Sequence, residues 1–244
     1  MARTAVVTGA ASGIGRAVAQ RLTRSGWHVF GLDRAPQRDP EIPGAVVDVL
    51  DEEALRAAVA GGVAELGGLD AMVCSAGISG SAYGDGPVAT SSGAAFDAVV
   101  GTNLRGAFLA LSAAWPALAE HGGSIVTISS VLGMSGGGGP FRSHAYIASK
   151  GGLIALTRAL AAEGRSVGVR ANCVAPGLVD TPLSGRAARN EEILSYVRDR
   201  QPLVGGPLDA ADVAGAVEFL CSDAARAITG QVLAVDAGWG LDAE

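Results

Sequence analysis

Long hydrophobic runs are missing from this sequence, and so is a targeting signal. The apolar stretches, such as residues 125–128 and 171–175, are short, and none approaches the roughly 20 residues needed to cross a bilayer. Residues 4–7 already resemble a strand, without a charged region and a long apolar stretch before them, so no secretory signal is expected. These absences predict a soluble, cytoplasmic protein with no membrane partner.

Basic runs are absent as well. The chain has 18 lysine and arginine residues against 24 aspartate and glutamate residues, which gives a net charge of −6. An acidic chain without a basic run repels nucleic acid and anionic lipid, so neither class of partner is expected.

Cysteine is scarce, and its positions argue against two kinds of site. Cys74, Cys173 and Cys221 are far apart and form no C-x-x-C pair. This spacing disfavours both a disulfide framework and a cysteine-ligated metal site, so no metal is expected. Buried free thiols in a reducing compartment are the simplest interpretation.

Linkers, composition shifts and fixed-period repeats are also lacking, which predicts a single domain over residues 1–244. Short β-branched runs alternate with longer stretches rich in alanine and leucine. They predict strands at 4–8, 28–32, 46–48, 71–75, 124–129, 169–175 and 232–235, and helices at 13–25, 51–66, 94–121, 145–163 and 209–222. Several strands are nearly continuous apolar runs, which is typical of a parallel sheet covered on both faces. The chain is therefore predicted to be an α/β protein with a doubly wound sheet.

Two stretches interrupt this alternation. Residues 133–143 contain five glycines and a proline and predict neither a helix nor a strand. Residues 183–208 are polar and irregular, with a short helical segment and several arginines that we expect to be solvated. Because long loops in compact domains are often lids, a substrate lid is predicted at about residues 183–206.

Glycine is abundant, and three glycines follow the first strand in a pattern that suits a phosphate. Gly9 permits a tight turn, Gly13 lets the backbone approach a pyrophosphate, and Gly15 lets the next helix pack close to the sheet. The N-terminus of that helix presents free N–H groups to the phosphates. A strand before the motif and a helix after it make dinucleotide binding the preferred interpretation.

Asp33, at the end of the second strand, bears on the choice of dinucleotide. A carboxylate at this position accepts hydrogen bonds from the adenosine ribose and repels the 2′-phosphate of NADP. NAD is therefore predicted as the cofactor. Arg34 could bind the 2′-phosphate instead, so NADP stays an alternative.

Tyr146 and Lys150 are four residues apart at the start of a predicted helix, so both side chains project from one face. The pKa of tyrosine is about 10, and a neighbouring ammonium favours the phenolate. We therefore expect Lys150 to lower the pKa of Tyr146 towards the range useful for acid–base catalysis.

Two further polar groups fall near the predicted carboxyl edge of the sheet. Ser129 and Ser130 end the fifth strand, where a hydroxyl can donate a hydrogen bond to a substrate oxygen that gains negative charge. Asn103 lies within a predicted helix, although asparagine is a poor helix former. It is either a satisfied polar residue that bends the helix or a residue that holds a water.

Together these features closely resemble the short-chain dehydrogenase/reductase family, over residues 4–241. The resemblance rests on the motif at 8–15, Asp48-Val49, Ala76-Gly77, Asn103, the set Ser130, Tyr146 and Lys150, Pro176-Gly177 and residues 228–231. It implies a Rossmann-like, seven-stranded parallel sheet in a three-layer αβα arrangement. It also implies a homotetramer or homodimer.

By the same resemblance, the reaction is hydride transfer between NAD and a secondary alcohol or ketone. Tyr146 would be the general acid in reduction and the base in oxidation, and Lys150 would bind the nicotinamide ribose and lower the tyrosine pKa. Ser130, rather than Ser129, would polarise the substrate oxygen, and Asn103 would hold a relay water. The implied cofactor contacts, besides Tyr146 and Lys150, are Gly9, Ser12, Gly13, Ile14, Gly15, Asp33, Asp48, Val49, Ala76, Gly77, Pro176, Gly177, Val179 and Thr181.

The chain departs from the family pattern at three places. Cys74-Ser75 stands where many members have two asparagines, and the spacing from Ser130 to Tyr146 is a few residues longer than usual. Residues 34–45 leave no room for the helix that often follows the second strand. His144 is more simply a surface or capping residue than a substrate contact.

Two other functions compete with an NAD-dependent alcohol dehydrogenase. One is an NADP-dependent 3-ketoacyl reductase of fatty-acid or polyketide assembly, which Asp33 disfavours. The other is an inactive dinucleotide-binding scaffold or sensor, which the pair Tyr146 and Lys150 disfavours. The sequence does not identify the substrate.

Overall fold

Seven strands, each parallel to its neighbours, form one sheet in the order β3-β2-β1-β4-β5-β6-β7. The computed structural model describes residues 2–185 and 187–241. The strands are β1 (Thr4–Thr8), β2 (His28–Asp33), β3 (Gly44–Val46), β4 (Ala71–Cys74), β5 (Gly123–Ile128), β6 (Val169–Pro176) and β7 (Val232–Val235). The strand order reverses between β1 and β4, as in a doubly wound sheet, and confirms the predicted fold class.

Helices cover both faces of this sheet. They are α1 (Gly13–Arg24), α2 (Glu52–Leu66), α3 (Gly93–Val100), α4 (Gly106–His121), α5 (Val131–Ser135), α6 (His144–Gly164), α7 (Glu191–Arg200) and α8 (Ala210–Cys221). One apolar core packs α1 and α8 on the sheet, and a second core packs α2, α4 and α6 on the opposite face. Consecutive residues of β1 point into opposite cores, which explains why this strand is apolar throughout.

The long predicted helix over residues 94–121 is interrupted. A π-helical turn, Gly101–Arg105, joins α3 to α4 and contains Asn103. π turns of this kind occur mostly as single insertions in α-helices and often at functional sites. The structure shows Asn103 as a hydrogen-bonded polar residue in a distorted helix, and its role in holding a water stays a prediction.

Two other predicted boundaries were wrong. The third strand lies at Gly44–Val46 rather than at 46–48, because it pairs with β2 from Gly31 onward. Residues 133–143 were predicted to hold no helix, but α5 includes residues 133–135. The Ser130 hydroxyl accepts the Leu132 N–H and starts this short helix, and Gly136, with φ of 78°, ends it.

Within residues 2–185 and 187–241, no helix has the length and apolarity required to traverse a lipid bilayer. In the same part of the chain, His, Cys, Asp and Glu side chains form no group of three or more that could hold a metal ion.

A buried hydroxyl pair fixes α6 against the sheet. The Oγ1 atoms of Thr127 on β5 and Thr157 on α6 are 2.7 Å apart, and both residues are buried. The Thr157 hydroxyl also bonds to the Leu153 carbonyl, 2.7 Å away. Because α6 carries Tyr146 and Lys150, the hydroxyl pair of Thr127 and Thr157 helps to position both side chains relative to the strand ends.

Replacement of Thr157 by valine should therefore destabilise the protein by about 1–3 kcal/mol, because it leaves the buried Thr127 hydroxyl without its partner. Urea unfolding of wild type, Thr127→Val, Thr157→Val and the double variant measures the free energy of unfolding. The double variant should lose less than the sum of the two single losses. Additive losses would show that the two hydroxyls are not coupled.

Candidate active site

The glycine-rich loop after β1 forms one wall of a cleft at the carboxyl edge of the sheet. Gly9 and Gly13 have φ of 73° and 52°, a region that favours glycine. A Cβ on Gly9 would lie 2.9 Å from the Ala76 nitrogen, and a Cβ on Gly15 would overlap the Gly9 carbonyl oxygen. The predicted roles in turning and in close helix packing therefore match the geometry of Gly9 and Gly15.

The N-terminus of α1 faces this cleft with its first amides available. Ser12 precedes the helix in an extended conformation, and among the described residues its hydroxyl makes no capping bond to the helix. The first turn contains Gly13, Ile14 and Gly15 and no acidic side chain. Free amides and the positive end of a helix dipole suit a pyrophosphate.

Asp33 lies at the end of β2, beside the glycine-rich loop. Its Oδ2 accepts the Ala11 N–H at 3.0 Å, and its Oδ1 accepts the Ala35 N–H at 2.9 Å. The carboxylate is half-buried and keeps lone pairs for further donors, such as ribose hydroxyls. Arg34 beside it is exposed.

Four predicted contacts flank the middle of the cleft. Asp48 is exposed and its Oδ1 accepts the Leu50 N–H at 2.9 Å, while Val49 is buried against Gly106. Ala76 is held by its N–H bond, 3.2 Å long, to the Thr8 hydroxyl. A Cβ on Gly77 would lie 3.1 Å from Asn103 Oδ1 and 3.7 Å from Lys150 Nζ.

The carboxyl end of β6 and the segment after it form the opposite wall. This wall contains Pro176, the last residue of β6, followed by Gly177, Val179 and Thr181, and a Cβ on Gly13 would lie 3.3 Å from the Thr181 Cβ. Val179 is buried and forms a bridge with Leu208. The two predicted halves of the cofactor site therefore face each other across the strand ends.

Tyr146 and Lys150 occupy one face of the first turns of α6, as their spacing predicted. The Lys150 side chain is 5% exposed, and its Nζ donates a hydrogen bond of 2.7 Å to the Ile128 carbonyl oxygen at the end of β5. Nζ also lies 5.5 Å from the centre of the Tyr146 ring. The structure thus brings the amine and the phenol together at the edge of the sheet where ligands bind.

Burial dominates the ionisation of this pair. It raises the pKa of Tyr146 from 10.0 to about 12, and a hydrogen bond with the Ser130 hydroxyl opposes this rise only in part. Burial also lowers the pKa of Lys150 from 10.5 to about 8. The net shift of the Tyr146 pKa in the protein alone is therefore upward, opposite to the expected lowering, because burial removes hydration from the phenolate.

The two serines after β5 have different partners. Ser129 donates from Oγ to the Lys150 carbonyl oxygen at 2.7 Å, and its backbone N–H binds the Val174 carbonyl at 2.8 Å. Ser130 instead accepts the Leu132 N–H through Oγ at 3.2 Å, and its hydroxyl lies close enough to Tyr146 to act on the pKa of the phenol. Ser129 therefore fastens α6 to the sheet, whereas Ser130 shares the site of the phenol.

Asn103 is fully buried beside the pair. Its Oδ1 accepts the Ile78 N–H at 2.8 Å, and its Nδ2 donates to the Ile78 carbonyl at 3.0 Å and to the Ser149 hydroxyl at 3.1 Å. The amide thus ties the loop after β4 to α6. One lone pair of Oδ1 is left for a further donor.

Sequence reasoning missed Asp85, which holds the first turn of α6. This carboxylate is buried and accepts the N–H groups of Ala145 and Tyr146 at 3.0 and 2.9 Å. A carboxylate at a helix N-terminus satisfies free amides and complements the dipole. It lies about sixty residues before the helix that it caps, so no local pattern could have identified it.

Peripheral predictions have mixed outcomes. His144 is exposed at the start of α6, as the surface interpretation predicted. Of the lid arginines, Arg189 and Arg198 are exposed, Arg198 pairs with Glu191, and Arg186 lies outside the described residues. Residues 34–43 form turns and bends, as their length and proline content predicted.

These walls fit a nicotinamide dinucleotide. Gly9 and Gly13 keep side chains out of the loop, helix amides follow it, and the Asp33 carboxylate beside it has lone pairs left for hydroxyl donors. The opposite end of the cleft holds a phenol, a hydroxyl and an amine suited to a reacting oxygen.

Comparisons with known proteins agree with this geometry. The model of a family described as Enoyl-(Acyl carrier protein) reductase matches residues 9–240. A cis-4-hydroxycyclohexanecarboxylate dehydrogenase of Sinomonas cyclohexanicum is 37% identical over 249 residues, covering 97% of this chain and 96% of the relative. A 3-oxoacyl-(acyl-carrier-protein) reductase of Staphylococcus aureus is 34% identical, with 98% of each chain covered.

A solved structure gives the same result. Carveol dehydrogenase from Mycobacterium avium, in complex with NAD, has a TM-score of 0.87 and 32% identity, with 98% of each chain covered. Because the family model spans nearly the whole sequence and these relatives are matched over almost their full length, the chain belongs to the short-chain dehydrogenase/reductase family of oxidoreductases.

Proposed function

We propose that this protein is an NAD-dependent dehydrogenase that interconverts a secondary alcohol and a ketone. The observation that carries the proposal is the shared site of Tyr146, Ser130 and Lys150 at the carboxyl edge of the sheet, opposite a glycine cradle. When bound, the nicotinamide supplies or accepts the hydride. The chain supplies the proton, the orientation of the substrate oxygen and the binding surface.

Tyr146 is the acid–base group. With a pKa raised to about 12, the phenol is protonated near neutrality and can donate to the oxygen of a ketone that is being reduced. Ser130 donates a second hydrogen bond to the same oxygen, which gains charge in the transition state. In the oxidation direction Tyr146 must first lose its proton, so oxidation should become faster as the pH rises.

Lys150 and Asn103 connect the phenol to the interior of the cleft. Lys150 binds the nicotinamide ribose and exchanges the proton of Tyr146. The space that a Cβ on Gly77 would take lies within 4 Å of both Asn103 Oδ1 and Lys150 Nζ, at 3.1 and 3.7 Å. Both polar atoms therefore lie on the same side of Gly77, which supports the predicted relay.

The substrate class that we favour is a cyclic secondary alcohol. The relative from Sinomonas cyclohexanicum acts, by its name, on a hydroxylated cyclohexane. A panel of cyclic and open-chain secondary alcohols with NAD⁺ tests this choice.

For the assembly, we propose a homo-oligomer, which the exposed Phe96 and Phe108 support. We also propose a reducing cytoplasm as its location, which the three buried free thiols support.

An NADP-dependent 3-ketoacyl reductase is the second candidate. It is favoured by the Staphylococcus aureus relative and by the exposed Arg34 beside Asp33. Reduction of a 3-ketoacyl thioester with NADPH, faster than any alcohol oxidation with NAD⁺, would establish this function instead. Dinucleotide binding without turnover of any member of either panel would favour the scaffold or sensor.

Replacement of Tyr146 by phenylalanine should lower kcat by a factor of about 10²–10⁴ in both directions. It removes the one group that we propose to transfer a proton to or from the substrate oxygen. NADH binding, followed by nucleotide fluorescence, should stay measurable. Tyr83→Phe, at a tyrosine that is 48% exposed, is the matched control. Unchanged turnover of Tyr146→Phe would refute the role assigned to the phenol.

The cofactor preference should depend on the charge of Asp33. Wild type should have a higher kcat/KM with NADH than with NADPH. Asp33→Asn should lower the ratio of these two kcat/KM values at least tenfold, because it removes the repulsion of the 2′-phosphate and leaves Arg34 in place. Steady-state kinetics with both nucleotides measure the ratio. Asp97→Asn, on the exposed face of α3, controls for net charge. Wild-type preference for NADPH would contradict the proposal.

Lys150 is the only lysine of the chain, so its ionisation can be followed directly. Protein labelled with ¹³C at the lysine ε position should give one signal whose pH midpoint is near 8 rather than 10.5, with the charged form present below that pH and lost above it. Arg226→Lys adds an exposed reference lysine. Equal midpoints for the two signals would show that burial does not perturb Lys150.

A further inference from the structure

A buried glutamine at the end of α7 forms hydrogen bonds with the wall that follows β6. Gln201 directly follows α7, is 0% exposed, and its backbone N–H binds the Val197 carbonyl at 2.7 Å. Its side chain extends to Leu178, 23 positions earlier in the chain. Neither the glycine motif nor the pattern of catalytic residues indicated a role for this side chain.

The Gln201 amide is bonded on both sides. Its Oε1 accepts the Leu178 N–H at 2.5 Å, and its Nε2 donates to the Leu178 carbonyl at 3.2 Å and to the Gly206 carbonyl at 2.6 Å. One side chain therefore satisfies both polar groups of a single residue in the wall, as a neighbouring strand would. Removal of this buried amide takes its bonds from the Leu178 N–H and the Gly206 carbonyl, and buried groups left unpaired are costly. The Leu178 carbonyl keeps a second bond, from the Leu208 N–H at 2.8 Å.

Gly177 is matched to this glutamine. A Cβ on Gly177 would overlap Gln201 Oε1, so the glycine lets the amide approach the chain. The Gly177 N–H in turn binds the Val235 carbonyl at 3.0 Å. The wall is therefore held by β7 at Gly177 and by Gln201 at Leu178, and Leu208 adds backbone bonds to Leu178 and Asp180.

The wall, the lid helix and the residue after Ser130 also meet in one apolar cluster. Val197 on α7 is fully buried in an apolar cluster with Val131 and Trp239, and Leu178 packs on the same cluster. Val131 directly follows Ser130. The lid helix, the wall and the start of α5 thus share one packed cluster. The hydrogen bonds of the Gln201 side chain fix the end of the lid helix relative to the wall.

We propose that Gln201 is a positioning residue for the nicotinamide half of the cofactor. It holds Gly177 and Leu178 in the conformation that receives the ring, and it couples that conformation to the position of α7. It does not touch the reacting atoms. The inference rests on the proposed function, since it assigns the wall after β6 to the nicotinamide.

The test compares two nucleotides on the full chain. NADH contains the nicotinamide, whereas ADP-ribose contains only the part that the glycine cradle and Asp33 would hold. Gln201→Met keeps the length of the side chain and removes all three hydrogen bonds. It should raise the Kd of NADH at least tenfold, because fewer molecules have a competent wall, and leave the Kd of ADP-ribose within twofold. The emission shift of bound NADH should shrink as well.

Gln231→Met, at an exposed glutamine, is the matched control and should change neither Kd. If Gln201→Met does not fold, Gln201→Asn, which keeps a shorter amide, should show the same selective loss. Equal weakening of both nucleotides, or no weakening of either, would overturn the inference and leave the proposed function intact. Wild-type protein that binds neither nucleotide would overturn both.

Discussion

The burial of one amine at the end of β5 is the interaction on which the site depends. A buried ammonium is costly unless its protons find acceptors, and Lys150 meets this need at the Ile128 carbonyl. The bond sets the height of α6 above the strand ends, and Ser129 fixes the same residue through its carbonyl. Tyr146 lies one turn earlier on α6, so its position is fixed by the same bonds. Burial then drives both groups towards their neutral forms, which suits the proton exchange that we propose for them.

The parts that sequence predicted well are those whose causes are local. Strands covered on both faces must be apolar throughout, so their positions could be recognised within a few residues. The positive φ of Gly9 and the close contact of Gly15 with the Gly9 carbonyl belong to one tight turn, and the four-residue spacing of Tyr146 and Lys150 follows from helix geometry. In each case the physical requirement acts over a few neighbours and leaves a pattern in the chain.

The parts that it missed arise from distant contacts. Asp85 caps a helix that starts about sixty residues later, and Gln201 bonds to a segment that precedes it by 23 residues. Both residues look like ordinary polar loop residues in the sequence. The direction of the Tyr146 pKa shift was also missed, because it depends on how much water the fold removes from the phenol and not on the charge of the nearest side chain.

The π turn at Gly101–Arg105 determines how the buried face of α4 is rotated about the helix axis relative to the buried face of α3. From Ala95 to Leu118, a regular α-helix would turn about 140° beyond whole revolutions, which would aim the buried stripes of α3 and α4 in different directions. A π turn holds about one residue more than an α turn and takes out about 100°. Both stripes then point into the protein, and Asn103, at the seam between them, is the residue turned towards the active site.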